Sequence, residues 1–218
     1  MKAIVINGSP RKGWNTHQML KKVEEGLEAE GAEVEFVDLY DLQFSGCRSC
    51  FACKRKGSAC HGVCAWPDDL KPVMESIMAS DVVVMGTPIY LGNMSAQLNL
   101  LWERLMFCCL TYSSYTQPDY PRNKRCAMVV SMGADERQMR QIGYDRRFSY
   151  YGQQLGYTLG DAPARMLWCC DAYQFDDYSK YEISPDRADP VKKQRHREQV
   201  FPQELERAYE LGRSLASR

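Results

Sequence analysis

Short apolar runs alternate with amphipathic stretches along the chain, and this alternation is typical of parallel strands joined by helices. Residues 2–7 are rich in β-branched side chains and are closed by Gly8, which predicts a short buried strand. Residues 81–86 are apolar after the first position, as in a strand that is covered on both faces of a parallel sheet. The predicted strands are 2–7, 33–39, 81–86, 125–131 and 165–170.

The segments between the predicted strands carry apolar residues three or four positions apart, which predicts helices that bury one face. The first helix has Met19, Val23 and Leu27 on its buried face and Thr16 as its expected N-cap. Another helix is expected to begin at Pro67, because proline suits the first helical position. The predicted helices are 16–30, one that starts at 67, 95–110, 135–154 and 202–217.

Five strands that alternate with five helices predict an α/β fold with a doubly wound, five-stranded parallel sheet in the order 2-1-3-4-5. In such a sheet, ligands bind beyond the carboxyl ends of the strands, at the point where the strand order reverses. That point lies between the first and third strands, so the loops 8–16 and 87–95 are the expected functional segments. We expect residues 1–218 to form a single domain, with a cysteine-rich loop at 43–66 and a C-terminal arm at 171–218.

The charge balance argues against a protein dedicated to binding nucleic acid, since 28 lysines and arginines match 28 aspartates and glutamates. Hydrophobic residues make up 44% of the 218 residues, which is enough to build a sizeable core. No apolar run approaches the roughly 18 residues of a membrane span, and the run at 3–6 is too short for a secretory signal. We therefore expect a cytoplasmic protein.

The first functional loop, GSPRKGWNT at 8–16, has the composition of an anion-binding site. A loop rich in Gly, Ser and Thr before a helix presents backbone N–H groups and the positive end of the helix dipole. The loop departs from the P-loop of nucleotide triphosphatases, because Trp14-Asn15 stands where Lys-Ser/Thr is required, and it contains no GxGxxG. The alternative interpretation is an ordinary turn between a strand and a helix.

The second functional loop, at 87–95, follows the apolar third strand and is suited to lie along a flat ligand. Pro88 stiffens the turn, and Gly92-Asn93 permits unusual backbone angles. Tyr90 is expected at the carboxyl edge of the sheet, where its ring can pack on a planar heterocycle. The alternative interpretation is a simple connection with a half-buried tyrosine.

Together, GSPRKGWNT at 8–16 and TPIYLGNMSAQLNLLWERL at 87–105 resemble the NAD(P)H-dependent FMN reductase family of the flavodoxin-like superfamily. The resemblance covers roughly residues 1–135 and implies a flavodoxin-like three-layer sandwich that binds FMN. In that family the first loop holds the FMN phosphate, the second lies along the isoalloxazine ring, and a loop after the fourth strand borders the ring. By resemblance, the cofactor residues are Ser9, Arg11, Gly13, Asn15 and Thr16 in the first loop, Pro88, Ile89, Tyr90, Leu91, Gly92 and Asn93 in the second, and Ser131 and Gly133 in the third.

The resemblance implies an FMN-dependent NAD(P)H oxidoreductase, which passes electrons from a nicotinamide cofactor through FMN to a small acceptor such as a quinone or a flavin. The cofactor carries the chemistry in such enzymes, so no side chain is assigned as a general acid or base. The family is commonly dimeric or tetrameric, which implies a homodimer or homotetramer. The segments 111–120 and 171–190 are the candidates for that subunit contact.

Five of the ten cysteines fall within 18 residues, in the run Cys47, Cys50, Cys53, Cys60 and Cys64. Three thiolates at two-residue spacing can wrap one [4Fe–4S] cluster, with Cys60 or Cys64 as the fourth ligand, and ferredoxin loops open with the same spacing. Free thiols near the flavin or a subunit interface are a second interpretation. Zinc is a third, although all-cysteine zinc sites usually use two separate CxxC pairs.

A similar compact run of cysteines marks the iron–sulfur flavoprotein branch of the same family, where a cluster relays single electrons to FMN. The alternative function is therefore an electron-transfer protein with FMN and a [4Fe–4S] cluster, served by a ferredoxin-like electron donor. A third hypothesis is a regulatory module whose thiols sense redox state. The basic cluster at 192–197 is expected to be a solvated helix start, with a contact to NADPH phosphate or to an acidic partner as the alternative.

Overall fold

A computed structural model describes residues 1–57, 63–110, 112, 122–184 and 188–217. Within these residues, five strands form one parallel sheet in the predicted order, with the second strand at one edge and the fifth at the other. The third strand extends two residues further than predicted and ends at Pro88. The strands are β1 (Lys2–Asn7), β2 (Glu33–Asp38), β3 (Val82–Pro88), β4 (Arg125–Ser131) and β5 (Arg165–Cys169).

Helices cover both faces of the sheet. They are α1 (Asn15–Ala29), α2 (Leu70–Ala79), α3 (Ala96–Cys109), α4 (Glu136–Ile142), α5 (Tyr144–Leu159), α6 (Pro190–Gln199) and α7 (Phe201–Ala216). Successive strand residues point to opposite faces, so Ile4 and Ile6 of β1 join the core under α2 to α5, whereas Ala3 and Val5 join the core under α1 and α7. The predicted three-layer sandwich with its flavodoxin-like strand order is therefore confirmed.

Two helix predictions are corrected by local backbone geometry. α1 begins at Asn15 with Trp14 in the N-cap position, so the prediction that Thr16 caps this helix is wrong. The single helix predicted at 135–154 is instead α4 followed by α5. The two helices meet at Gly143, whose φ of 82° lies in the left-handed region that ends a helix and favours glycine.

The second predicted helix starts later than the sequence suggests. α2 begins at Leu70 with Asp69 in the N-cap position, and not at Pro67. Asp68 accepts hydrogen bonds of 2.6 and 2.7 Å from the Arg104 guanidinium of α3. This pair joins the segment before α2 to α3, next to the cysteine-rich loop.

The C-terminal arm supplies two helices, although the sequence predicted only the last of them in full. Asp189 caps α6, because its carboxylate accepts hydrogen bonds from the backbone N–H groups of Val191 and Lys192, at 2.9 and 3.2 Å. Pro190 occupies the first turn of α6, and α7 follows directly and packs against α1. No helix among the described residues is both long and apolar enough to cross a membrane.

Candidate functional site

A cleft with about 470 Å³ of empty space opens at the carboxyl ends of β1, β3 and β4, where the strand order reverses. Nine predicted cofactor residues line it: Ser9, Arg11, Asn15, Thr16, Pro88, Ile89, Tyr90, Ser131 and Gly133. Trp14, Met132, Ala172 and Gln174 complete the lining, whereas the predicted Gly13, Leu91, Gly92 and Asn93 lie outside it.

The first loop is fixed by short-range hydrogen bonds at the end of β1. The Asn7 side chain accepts from the Ser9 backbone N–H at 3.0 Å and donates to Asp38 at 2.7 Å. The Ser9 hydroxyl accepts from the Arg11 backbone N–H at 3.2 Å. These bonds set the path of the loop into α1, whose first N–H groups have no acceptor within the helix and can bind an anion.

Arg11 and Trp14 place a cation beside this helix terminus. The Arg11 guanidinium lies 3.4 Å from the centroid of the Trp14 ring and donates a 2.6 Å hydrogen bond to the Gln174 carbonyl oxygen. A guanidinium over an aromatic ring is attracted by the negative face of that ring. The bulky Trp14 of this loop therefore supports the cation that the sequence assigned to phosphate binding.

The second loop is a tight hairpin over the cleft. The backbones of Tyr90 and Asn93 exchange hydrogen bonds of 2.9 and 3.0 Å, and Leu91 and Gly92 form the turn with φ values of 49° and 81°. Left-handed angles suit Gly92 but strain Leu91, whose side chain is fully exposed. Tyr90 lines the cleft while 43% of its surface stays exposed.

The first loop and the loop after β4, called the third loop, are joined by a hydrogen bond. The hydroxyls of Thr16 and Ser131 lie 2.7 Å apart, so the start of α1 is hydrogen-bonded to the end of β4. The Lys193 ammonium of α6 donates to the Gly133 carbonyl oxygen at 2.5 Å and pairs with Asp171 at 2.6 Å.

The expectation that the whole basic cluster is solvated is therefore wrong. Lys193 is only 3% exposed, and Arg197 contacts the first loop. Gln174 and Asp171 were not predicted as residues of this region, and Lys193 and Arg197 were predicted only as members of the basic cluster at 192–197. The spacing of Lys193 and Arg197 after Asp189-Pro190 predicts one face of a capped helix, but it does not predict what that face contacts.

A second cavity, with about 390 Å³ of empty space, gathers thiols from the cysteine-rich loop. Its lining includes four cysteines of the loop and one of α3, namely Cys47, Cys50, Cys53, Cys64 and Cys108. The fifth cysteine of the loop, Cys60, lies outside the described residues. Burial and the neighbouring Cys53 and Cys64 raise the pKa of the Cys108 thiol. Among the described residues, no three His, Cys, Asp or Glu side chains are placed together to hold a metal ion.

Arg104 forms the charged wall of this thiol cavity. It is 1% exposed, pairs with Asp68 and donates to the backbone carbonyls of Ser45 and Trp66 at 3.2 and 3.3 Å. In the described part of the chain its buried Nε–H has no hydrogen-bond partner. The four thiols of the cysteine-rich loop line this cavity beside the Arg104 guanidinium, but the described residues do not bring three of them close enough to act together as metal ligands.

Comparisons with known proteins agree with the chemistry of these loops. Residues 1–159 match the family model described as NADPH-dependent FMN reductase. An iron–sulfur flavoprotein of Methanocaldococcus jannaschii is 35% identical over 104 residues, which are 48% of this chain and 51% of that protein. A putative NAD(P)H-dependent FMN-containing oxidoreductase of Bacillus subtilis is 26% identical over 168 residues, 74% of this chain and 85% of that protein. The chain spans about half the length of the iron–sulfur flavoproteins that it matches first.

Solved structures share the fold over the whole chain. An NAD(P)H:quinone oxidoreductase of Methanothermobacter marburgensis superposes with a TM-score of 0.68 at 19% identity, covering 100% of this chain and 98% of that one. An FMN-dependent NADH-azoreductase of Bacillus anthracis, solved with FMN, gives 0.61 at 13% identity, with 100% of both chains covered. At these identities the likeness shows the fold.

Proposed function

The chain belongs to the NADPH-dependent FMN reductase family, and from that premise we propose that it is an FMN-dependent oxidoreductase. It would take electrons from NAD(P)H and pass them to a small acceptor such as a quinone or a flavin. FMN and NAD(P)H are the cofactors expected of that family. The observation that carries the proposal is the cleft, which joins an anion-binding helix terminus to an aromatic hairpin at the reversal point of the sheet.

The residues of the cleft fit FMN in charge and shape. The start of α1, with Arg11 beside it, suits the phosphate, because backbone N–H groups and a cation converge there. Pro88, Ile89 and Tyr90 offer an apolar and aromatic wall for the ring system. The bound flavin supplies the electron-transfer chemistry, and these residues hold and orient it.

The test is a flavin titration of the full chain, followed by a turnover assay. We expect FMN to bind, and NADH or NADPH to be oxidised when a quinone or free flavin is present. Ser9→Ala with Thr16→Ala should weaken FMN binding about tenfold or more, since hydrogen bonds to charged groups contribute roughly 1.5–3 kcal/mol.

Ser214→Ala, an exposed serine on α7, is the matched control and should bind FMN as the native chain does. Thermal unfolding of all variants separates lost binding from lost folding, because Thr16 also bonds Ser131. FMN affinity that stays within about twofold in the double variant would refute the phosphate assignment.

A second candidate function, electron transfer through FMN and a [4Fe–4S] cluster, is favoured by one observation. Cys47, Cys50, Cys53 and Cys64 line a single cavity beside Arg104. Cys47, Cys50 and Cys53 would bind the cluster together with Cys64 or Cys60, and a ferredoxin-like protein would be the electron donor. A bound cluster supplies single-electron transfer there.

Iron analysis after anaerobic purification tests the cluster. We expect about four irons per chain in the native protein, as [4Fe–4S] requires, and none in Cys50→Ser. Cys170→Ser, a half-buried cysteine outside the thiol cavity, should keep its iron. Iron that is equal in the native chain and Cys50→Ser would exclude a cluster bound through Cys50.

We further propose that residues 1–218 act as a single domain, in the cytoplasm, and assemble as a homodimer or homotetramer. The exposed apolar side chains of Leu91 and Ile142, 106% and 58% exposed, support a subunit contact. Of the two predicted contact segments, 171–190 contributes Ala172 and Gln174 to the lining of the cleft, and its residues 185–187 lie outside the described ranges. The other, 111–120, lies outside the described residues except for Tyr112.

A further inference from the structure

One face of α6 contacts two of the three loops around the cleft. Lys193 and Arg197 are four residues apart, so they share a face of the helix. Lys193 donates to the Gly133 carbonyl oxygen of the third loop, at 2.5 Å. Arg197 donates to the side-chain oxygens of Asn15 and Gln18, each at 3.2 Å, at the start of α1.

The contacts of Arg197 extend into the first loop through two side chains. Gln18 donates from Nε2 to the Gly13 carbonyl oxygen, so the guanidinium, Gln18 and Gly13 form a continuous chain of hydrogen bonds. Asn15 donates from Nδ2 to the Tyr173 carbonyl oxygen at 2.8 Å. Both polar atoms of the Asn15 side chain are therefore engaged within the protein, and the Gly13 carbonyl is held toward Gln18.

Arg197 acts from behind the cleft and not inside it. It is half-buried, stacks 4.1 Å from the Phe201 ring and is absent from the residues that line the cleft. Its charge lies next to the amino end of α1, where the helix dipole is already positive. Fixing Gly13 and Asn15 in this way leaves the backbone N–H groups of the first turn as the donors for a bound anion.

We propose that α6 is a clamp for the cofactor cleft, in which Arg197, through Asn15 and Gln18, positions the first loop for the phosphate of FMN. Lys193 fixes the third loop at Gly133 from the same helix face. This inference rests on the proposed FMN function and adds positioning residues to it. The clamp lies at 190–199, beyond residues 1–159 that match the family, so it is a feature of the C-terminal arm of this chain.

The test compares two flavins that differ in the phosphate. The full chain, stripped of flavin, is titrated with FMN and with riboflavin, and flavin fluorescence reports both dissociation constants. Arg197→Met keeps the packing on Phe201 but loses both hydrogen bonds, so we expect FMN to bind about tenfold more weakly and riboflavin within about twofold of the native chain. Arg195→Met, at an exposed position of the same helix, should change neither constant.

Two further variants guard against misfolding of Arg197→Met. Gln18→Leu removes the path from Arg197 to Gly13 but leaves the bond between Arg197 and Asn15. Arg197→Lys keeps the charge without the forked geometry, so both variants should lose FMN affinity selectively but by less. If Arg197→Met loses equal affinity for FMN and for riboflavin, Arg197 has only a structural role. If Arg197→Met binds FMN as tightly as the native chain, the clamp is refuted. If the native chain binds neither FMN nor riboflavin, both the proposed function and the clamp are refuted.

Discussion

The acid Glu204 of α7 is buried next to the end of β5, with 3% of its surface exposed. The Cys169 thiol and the backbone N–H of Cys170 donate to its carboxyl group, and Arg207 lies 3.9 Å from Oε1. Its Oε2 has no hydrogen-bond partner in the ranges that the structure describes. Burial raises the pKa of Glu204 above its ordinary value of 4.5, and the Cys169 hydrogen bond and the Arg207 charge oppose this only in part.

We predict that Glu204→Gln changes how stability depends on pH. The unfolded chain releases the Glu204 proton near pH 4.5, whereas the folded chain keeps it to higher pH. The native protein therefore loses stability as pH rises from about 4.5 through the raised pKa, at about 1.4 kcal/mol per pH unit between the unfolded and folded pKa values. The variant lacks this loss, so thermal unfolding should show it gaining stability relative to the native chain between acid and neutral pH.

Glu206→Gln, an exposed acid on the same helix, is the control for this measurement. Its stability difference from the native chain should not follow the same pH dependence. A difference between Glu204→Gln and the native chain that stays constant at every pH would contradict the raised pKa of Glu204.

Among the elements, α1 and α7 pack so closely that their backbones approach each other. A Cβ atom at Gly26 would lie 2.1 Å from the Tyr209 carbonyl oxygen, and one at Gly212 would lie 2.2 Å from the Val23 carbonyl oxygen. Since the obstructing atoms are backbone, neither contact can be relieved by a side-chain rotation. The two glycines therefore set the distance between these helices.

We predict that Gly212→Ala destabilises the protein. Alanine favours an isolated helix by about 1 kcal/mol over glycine, but the added methyl group overlaps the backbone of α1. Overpacking costs about 1–3 kcal/mol, and here we expect the net free energy of unfolding in urea to fall by at least about 1 kcal/mol. Glu206→Ala on the exposed face of α7 should have little effect. A gain in stability for Gly212→Ala would show that the helices separate freely.

Element prediction succeeded where a local pattern sets the structure and failed where a side chain finds a distant partner. The strand Arg125–Ser131 was predicted to the residue, because its apolar run has clear polar ends. The start of α2 was misplaced by three residues: the helix begins at Leu70, and Asp68 lies just before it, where it accepts from the backbone N–H groups of Leu70 and Lys71 and binds Arg104. The break at Gly143 was missed, because apolar periodicity does not report a left-handed φ.

Across the whole molecule, loops from distant parts of the sequence meet at the carboxyl edge of the sheet. Most of the predicted FMN residues line one cleft, because the parallel order alone brings the ends of β1, β3 and β4 together. Leu91 and Gly92 form the outer turn of the hairpin instead. The contacts of the C-terminal arm were not predicted, since Arg197 and Asn15 are 182 positions apart.

Local patterns in the chain were enough to predict the strands, their order, the position of the cleft and the family, because apolar periodicity, connectivity and loop motifs are all read from neighbouring residues. The contacts that individual side chains make were decided only by the tertiary structure. Folding turned the Asn15 amide inward, brought Lys193 and Arg197 to the loops of the cleft, and collected Cys47, Cys50, Cys53 and Cys64 with Arg104. These outcomes depend on packing between segments that are far apart in sequence, and hydrogen-bond partners follow from that packing.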